Sequence, residues 1–153
     1  MEDIKRILVV SRDTKHCKKA VHYGVSLAMK YGAKLYVLHV ADDPTNLEGY
    51  QEDEEHKKNV RKIRDELAAT IAAENNKGLK VKELLSDGDP STEIFRVVKD
   101  KNIDLIILLA HQESHIEHFL LGHSNDEIIR EMPCSILMVK KDPDPAKITE
   151  LKS

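Results

Sequence analysis

Short continuous apolar runs and longer helical-period stretches take turns along this chain. Ile4 to Val10 is a brief run rich in β-branched residues, Lys34 to Val40 is another, and about 18 helix-compatible residues lie between them. In that interval Cys17, Ala20, Val21, Gly24, Leu27, Ala28 and Tyr31 recur at helical spacing, and Gly32 stands where a helix would stop. The pattern predicts a strand, a helix and a second strand, joined by a right-handed crossover to a parallel neighbour. Residues 42–51 contain Pro, Gly and Asn and predict a mobile loop over the carboxyl edge of the sheet.

From Glu52 to Asn76, Val60, Ile63, Leu67 and Ile71 form one apolar stripe, so a long helix with a solvated charged face is expected. Lys80 to Ser86 alternates and carries lysines, as an exposed edge strand does. Asp89-Pro90 has the form of an N-cap followed by proline at the first helical position. Ile94, Phe95, Val97 and Val98 supply the buried face of that helix, which ends near Asn102. Leu105 to Leu109 is apolar throughout, the mark of a central parallel strand covered on both faces. Ser124-x-x-Glu127 is a capping box for a further helix with Ile128, Ile129 and Met132 turned inward, stopped by Pro133. Ser135 to Val139 reads as the last strand.

The alternation predicts an α/β fold: a doubly wound, five-stranded parallel sheet with helices on both faces. With 153 residues the chain suits one domain, residues 1–140, followed by 141–153 as a loose tail with two Asp-Pro steps. A charged fraction of 33% beside 41% hydrophobic residues fits a soluble protein. A net charge of −3 leaves no footprint for nucleic acid or an anionic membrane. Glu2, Asp3, Lys5 and Arg6 occupy the place of a signal-peptide core, and no apolar run approaches about 18 residues, so a cytoplasmic location is expected. Cys17 and Cys134 lack metal or disulfide spacing and read as small core residues.

Four stretches, KRILVV, YGAKLYVLHV, DGDPSTEIFRVVKDKNIDLIIL and LLGHSNDEIIREMPCSILMV, occur in an order and spacing that resemble the universal stress protein family over residues 4–139. The resemblance implies strand order 3-2-1-4-5, with a ligand crevice between the first and fourth strands, where the topology switches direction. Nucleotide-binding members carry G-x2-G-x9-G-[ST] after the fourth strand, because glycines let backbone amides approach phosphates and the last hydroxyl lies at a helix N-terminus. Here the first two glycines are replaced by Ala110 and Glu113, the spacer to Gly122 is one residue short, and His123 takes the hydroxyl position before Ser124. Where the family places an aspartate after the first strand this chain has Arg12, with Asp13 offset by one. No Lys or Arg lies between His111 and Asp126, whereas Glu113, Glu117 and Asp126 add negative charge. Like charges a few Å apart repel by roughly 4 kcal/mol at an effective dielectric of about 20. A triphosphate is therefore disfavoured in the family's usual mode, and a loop without nucleotide is expected.

His111, His115, His118 and His123 are close in sequence. With His115 and His118 on one helical turn, His111 would complete a three-ligand set for zinc, nickel or copper, and the same imidazoles would gain charge near pH 6–7. Solvated histidines on a polar loop are the plainer expectation. His39 is expected to pack within the second strand. No Ser/His/Asp or Cys/His order suggests a nucleophile.

Taken together, the residues and the resemblance lead us to expect a non-enzymatic universal stress protein of the class lacking the full ATP-binding motif, working in stress response or regulation. Its expected partners are a second copy, paired antiparallel through Ser135, Ile136, Leu137, Met138 and Val139, and a protein the sequence does not identify; no cofactor is expected. The first alternative is an ATP- or AMP-binding switch with a modified phosphate loop. Its site would be built from Arg12, Asp13, Val40, Ala110, Gly122, His123 and Ser124. The second is a metal-binding module built on His111, His115 and His118.

Overall fold

The first strand, β1 (Arg6–Ser11), is buried from Ile7 to Ser11, its successive side chains entering two separate cores on the two faces of the sheet. The computed structural model describes residues 3–11, 17–40, 54–74, 78–86, 89–110 and 129–140, with the backbone alone at 55, 56, 59, 60 and 110. The other elements are α1 (Lys18–Tyr31), β2 (Lys34–Val40), α2 (Glu54–Glu74), β3 (Val81–Ser86), α3 (Pro90–Asp100), β4 (Leu105–Ala110) and β5 (Ser135–Lys140). Residues 129–131 are helical and lead to Met132 and Pro133. The capping box expected to open a helix there and the tail 141–153 lie outside the described residues.

All five strands are parallel, in the order β3-β2-β1-β4-β5, as expected. Because β1 to β2 to β3 steps one way across the sheet and β3 to β4 to β5 steps the other, right-handed crossovers send the helices to opposite faces. One core joins Ile7, Val9, Leu35, Val37 and Ile107 to the inward sides of α1 and α2. The other joins Leu8, Val10, Leu38, Ile106 and Leu108 to Ile94, Val97 and Val98 of α3, with Met132 and Ile136 packed against it.

Local signals behave as their chemistry requires. Gly32 takes a left-handed φ of 65° and ends α1, a conformation that costs glycine little. Asp89 caps α3 by accepting a bond of 3.1 Å from the Thr92 amide, with Pro90 starting the helix. Tyr31, the last member of the helical-spacing series, is 51% exposed on the final turn of α1. At the amino edge, Oδ2 of Asp104 accepts from the backbone amides of Lys5 at 2.8 Å and Arg6 at 2.9 Å. The Asp104 amide donates in turn to the Arg6 carbonyl at 2.9 Å, which pins β4 to β1.

Candidate functional site

Open sheets of this kind receive ligands outside the carboxyl ends of their strands, at the point where strand order reverses. Here those ends are Ser11, Val40, Ser86, Ala110 and Lys140, for β1 to β5 in turn. Pairing of β1 with β2 is registered all the way to Ser11↔His39. Pairing of β1 with β4 runs only from Ile7↔Leu105 to Val9↔Ile107, two residues short of the end of β1 and three short of the end of β4. The described strands therefore leave a gap between the ends of β1 and β4, where the reversal puts the crevice.

On the β2 side of that gap, the Ser11 hydroxyl lies 3.1 Å from Nδ1 of His39. The two residues are 1% and 2% exposed. This hydrogen bond fixes the end of β1 to β2 in a low-dielectric setting, where a buried polar pair stabilises only when satisfied. His39 was expected to pack within its strand, and it does; its partner was not foreseen. The available signal was a serine closing an otherwise apolar run, but which residue faces it depends on a register invisible in one sequence. So deep a hydroxyl offers a substrate no approach, and the pair acts as a brace.

The expected nucleotide positions divide sharply. Val40 is fully buried, its side chain belonging to the core beside α3, so only its backbone is available at the edge. Ala110 is the last residue of β4 and is registered on Lys140 of β5. The position of the family's first phosphate-loop glycine is thus still paired sheet. Arg12, Asp13, Gly122, His123 and Ser124 lie outside the described residues, as do His111, His115 and His118. Among the described residues no three His, Cys, Asp or Glu side chains gather as a metal site would need.

Lys140 was missed, because the sequence pattern ends the last strand at Val139. In the structure β5 includes it, exposed, beside Ala110. The rest of β5 grades from exposed Ser135 through half-buried Ile136 and Leu137 and 38%-exposed Met138 to buried Val139.

At the opposite, amino edge an open cleft of about 910 Å³ is lined by Asp3, Val98, Asn102, Asp104, Pro133 and Cys134, among others. Burial pushes the Cys134 thiol above its ordinary pKa, reinforced by the negative charge of Asp104, so the sulfur is held as a poor nucleophile. Cys134 is half-buried at that cleft, whereas Cys17 is a core residue as expected. No helix among the described residues is long and apolar enough to cross a membrane.

Comparison with known proteins matches residues 3–140 to the universal stress protein family. The universal stress protein MJ0577 of Methanocaldococcus jannaschii is 30% identical over 88 residues, a match covering 58% of this chain and half of that relative's length. The solved structure of MJ0577 superimposes with a TM-score of 0.73 at 22% identity, covering 94% of this chain and all of that one. A universal stress protein solved in complex with cAMP gives a TM-score of 0.59 at 18% identity, covering 90% of this chain and 98% of that one. One from Archaeoglobus fulgidus solved in complex with dAMP gives 0.60 at 12% identity, covering 93% and 100%. At these identities the likeness is one of fold.

Proposed function

The chain belongs to the universal stress protein family, and from that premise we propose that it acts without catalysis, as a cytoplasmic homodimer in stress response or regulation, on a protein partner. The observation that carries this reading is the β5 edge. The sheet has two outer strands, β3 and β5. Each exposes one apolar side chain to 38%, Leu85 on β3 and Met138 on β5, but β3 sets exposed Lys82 and Glu83 beside it, whereas Ser135 to Val139 of β5 carries no charge. Ile129, six residues before the strand and expected to turn inward, is instead 51% exposed. Antiparallel pairing of two β5 strands about a twofold axis would satisfy the open ladder and cover this apolar rim. Sealing of the Ser11–His39 pair supports a role without a serine nucleophile.

A second reading, a nucleotide-binding switch, is favoured by the gap between β1 and β4 and by the cAMP and dAMP complexes of relatives that share the fold. The replaced glycines and the acids of the following segment weigh against its usual form. The test is light scattering at micromolar concentration, with absorbance at 260 nm and titration with AMP, and with ATP and Mg²⁺. A dimer that carries and takes up no nucleotide supports the first reading, and a monomer overturns its assembly. Saturable uptake of AMP or ATP establishes the second.

A further inference from the structure

We infer that the outward face of α2 is a docking surface for a short acidic segment of a partner protein; this names the chemistry of the partner in the first reading above and rests on it. From His56 to Arg64 the sequence holds five Lys or Arg and no acid, in a chain whose net charge is −3. Lys57, Lys58, Arg61, Lys62 and Arg64 are all exposed, whereas Leu67 and Ile71 of the same helix turn into the core that α2 shares with α1. At 3.6 residues per turn, Lys57, Lys58, Arg61 and Lys62 form one compact patch, centred roughly 130° around the helix axis from that apolar pair.

Neither usual reason for charges on a helix accounts for the patch. The macrodipole favours bases in the last turn, yet α2 has none there and ends on Glu74; the patch occupies the first half, toward the positive pole. Pairing along the helix fails as well. Lys57 and Arg61, and Lys58 and Lys62, are like charges four residues apart, and Arg61 has Lys58 and Arg64 three residues to either side, all of which oppose the helix. Among the described residues, Lys57 alone of the five has an acid partner, Glu54 at 3.7 Å. An anion arriving from outside relieves this repulsion.

The extent of the patch selects the occupant. Lys57 to Arg64 spans about 10 Å of helix, the length of three or four residues of extended chain. Acids close both ends, exposed Glu54 before and exposed Asp65 after, so a nucleic acid running on past the patch meets repulsion where it leaves. An anionic bilayer needs apolar side chains on the same face to sink into it, and the exposed positions that follow are Asp65, Ala69 and Ala72. A short run of Asp and Glu fits the patch and stops where it stops. α2 packs on α1 and β3, at the side of the sheet remote from β5, so pairing of two β5 strands leaves this face open.

The test is fluorescence anisotropy at low salt with a labelled peptide carrying a central Asp-Glu-Asp-Glu run, and with its Asn/Gln counterpart. The proteins are the parent, Arg61→Gln/Lys62→Gln, and Lys34→Gln/Lys99→Gln, which removes the same amount of charge from exposed positions elsewhere. The parent is expected to bind the acidic peptide saturably, less as salt rises, and to ignore the counterpart. Arg61→Gln/Lys62→Gln weakens binding roughly fivefold or more, and Lys34→Gln/Lys99→Gln leaves it unchanged. Because Arg61→Gln/Lys62→Gln removes like-charged neighbours, its Tm should equal or exceed the parent's; weaker binding with a lowered Tm would trace the loss to the fold and overturn the inference. An equal loss in both double variants overturns it too, since the peptide would then read net charge. So does tighter binding of phosphatidylserine vesicles, or of a short single-stranded RNA, titrated alongside. A dimeric, nucleotide-free parent that takes up no peptide overturns the inference and leaves the first reading in place. A monomeric parent whose peptide binding is lost in Arg61→Gln/Lys62→Gln does the reverse.

Discussion

Glu93 shows how a single surface carboxylate can be tied into the fold. It accepts from Nε of Arg96 at 3.0 Å and from Nη2 at 2.6 Å, one turn along α3. The bond to Arg96 holds its carboxyl below the ordinary value of 4.5, partly opposed by burial and assisted by a hydrogen bond with Ser86 at the end of β3. A carboxyl with a lowered pKa stabilises the folded state fully above its unfolded value, and the contribution disappears as pH falls through the folded value. Glu93→Gln is therefore expected to lower Tm at pH 7, with the gap to the parent closing as pH falls below 4.5. A constant gap down to pH 2 would show that the ionised form contributes nothing. At this scale the site was only partly legible. Ala110, Glu113 and Arg12 announced their departure from the family's pattern because a missing glycine or aspartate is visible at its own position. Lys140 and the Ser11–His39 bond were not visible, because each gains meaning only from the residue registered beside it.

At the scale of elements, α1 packs on the sheet at one position with no room for a side chain, Gly24. A methyl group at Gly24 would stand 2.5 Å from Cγ2 of Val9 and 3.1 Å from Cδ1 of Leu35, both core side chains. Gly24→Ala improves helix propensity by up to about 1 kcal/mol, yet the overpacking costs about 1–3 kcal/mol. A net destabilisation on the order of 1 kcal/mol is expected in urea melts, with an unchanged m-value. A stabilised variant would mean that α1 moves outward freely. The elements were the most legible part of the chain: the apolar runs at β1 and β4, the Asp89-Pro90 start of α3 and the Gly32 stop of α1 all act through local chemistry. Their ends shifted by a residue or two, as with Ser11 and Lys140, because a strand continues as long as its neighbour pairs with it.

For the molecule as a whole, the two edges of the sheet are unlike, and assembly is expected to follow that difference. Met138→Lys places a charge on the apolar rim of β5 at a side chain already 38% exposed. Light scattering should then report a monomer where the parent is a dimer, while circular dichroism shows an unchanged fold. A variant that stays dimeric would place the interface elsewhere.

The Asp104 clamp has a kinetic meaning. It joins residues 98 and 99 positions apart in the chain, whereas the Ser11–His39 contact between β1 and β2 spans 28. Closing the longer span costs about 1 kcal/mol more chain entropy, so β1–β2–β3 can assemble first as a local unit and the β1–β4 seam zips later. That seam runs from the clamp at one edge to the crevice at the other. A molecule gripping both lips of the crevice would therefore bridge the two halves, and its presence should be felt as slower unfolding.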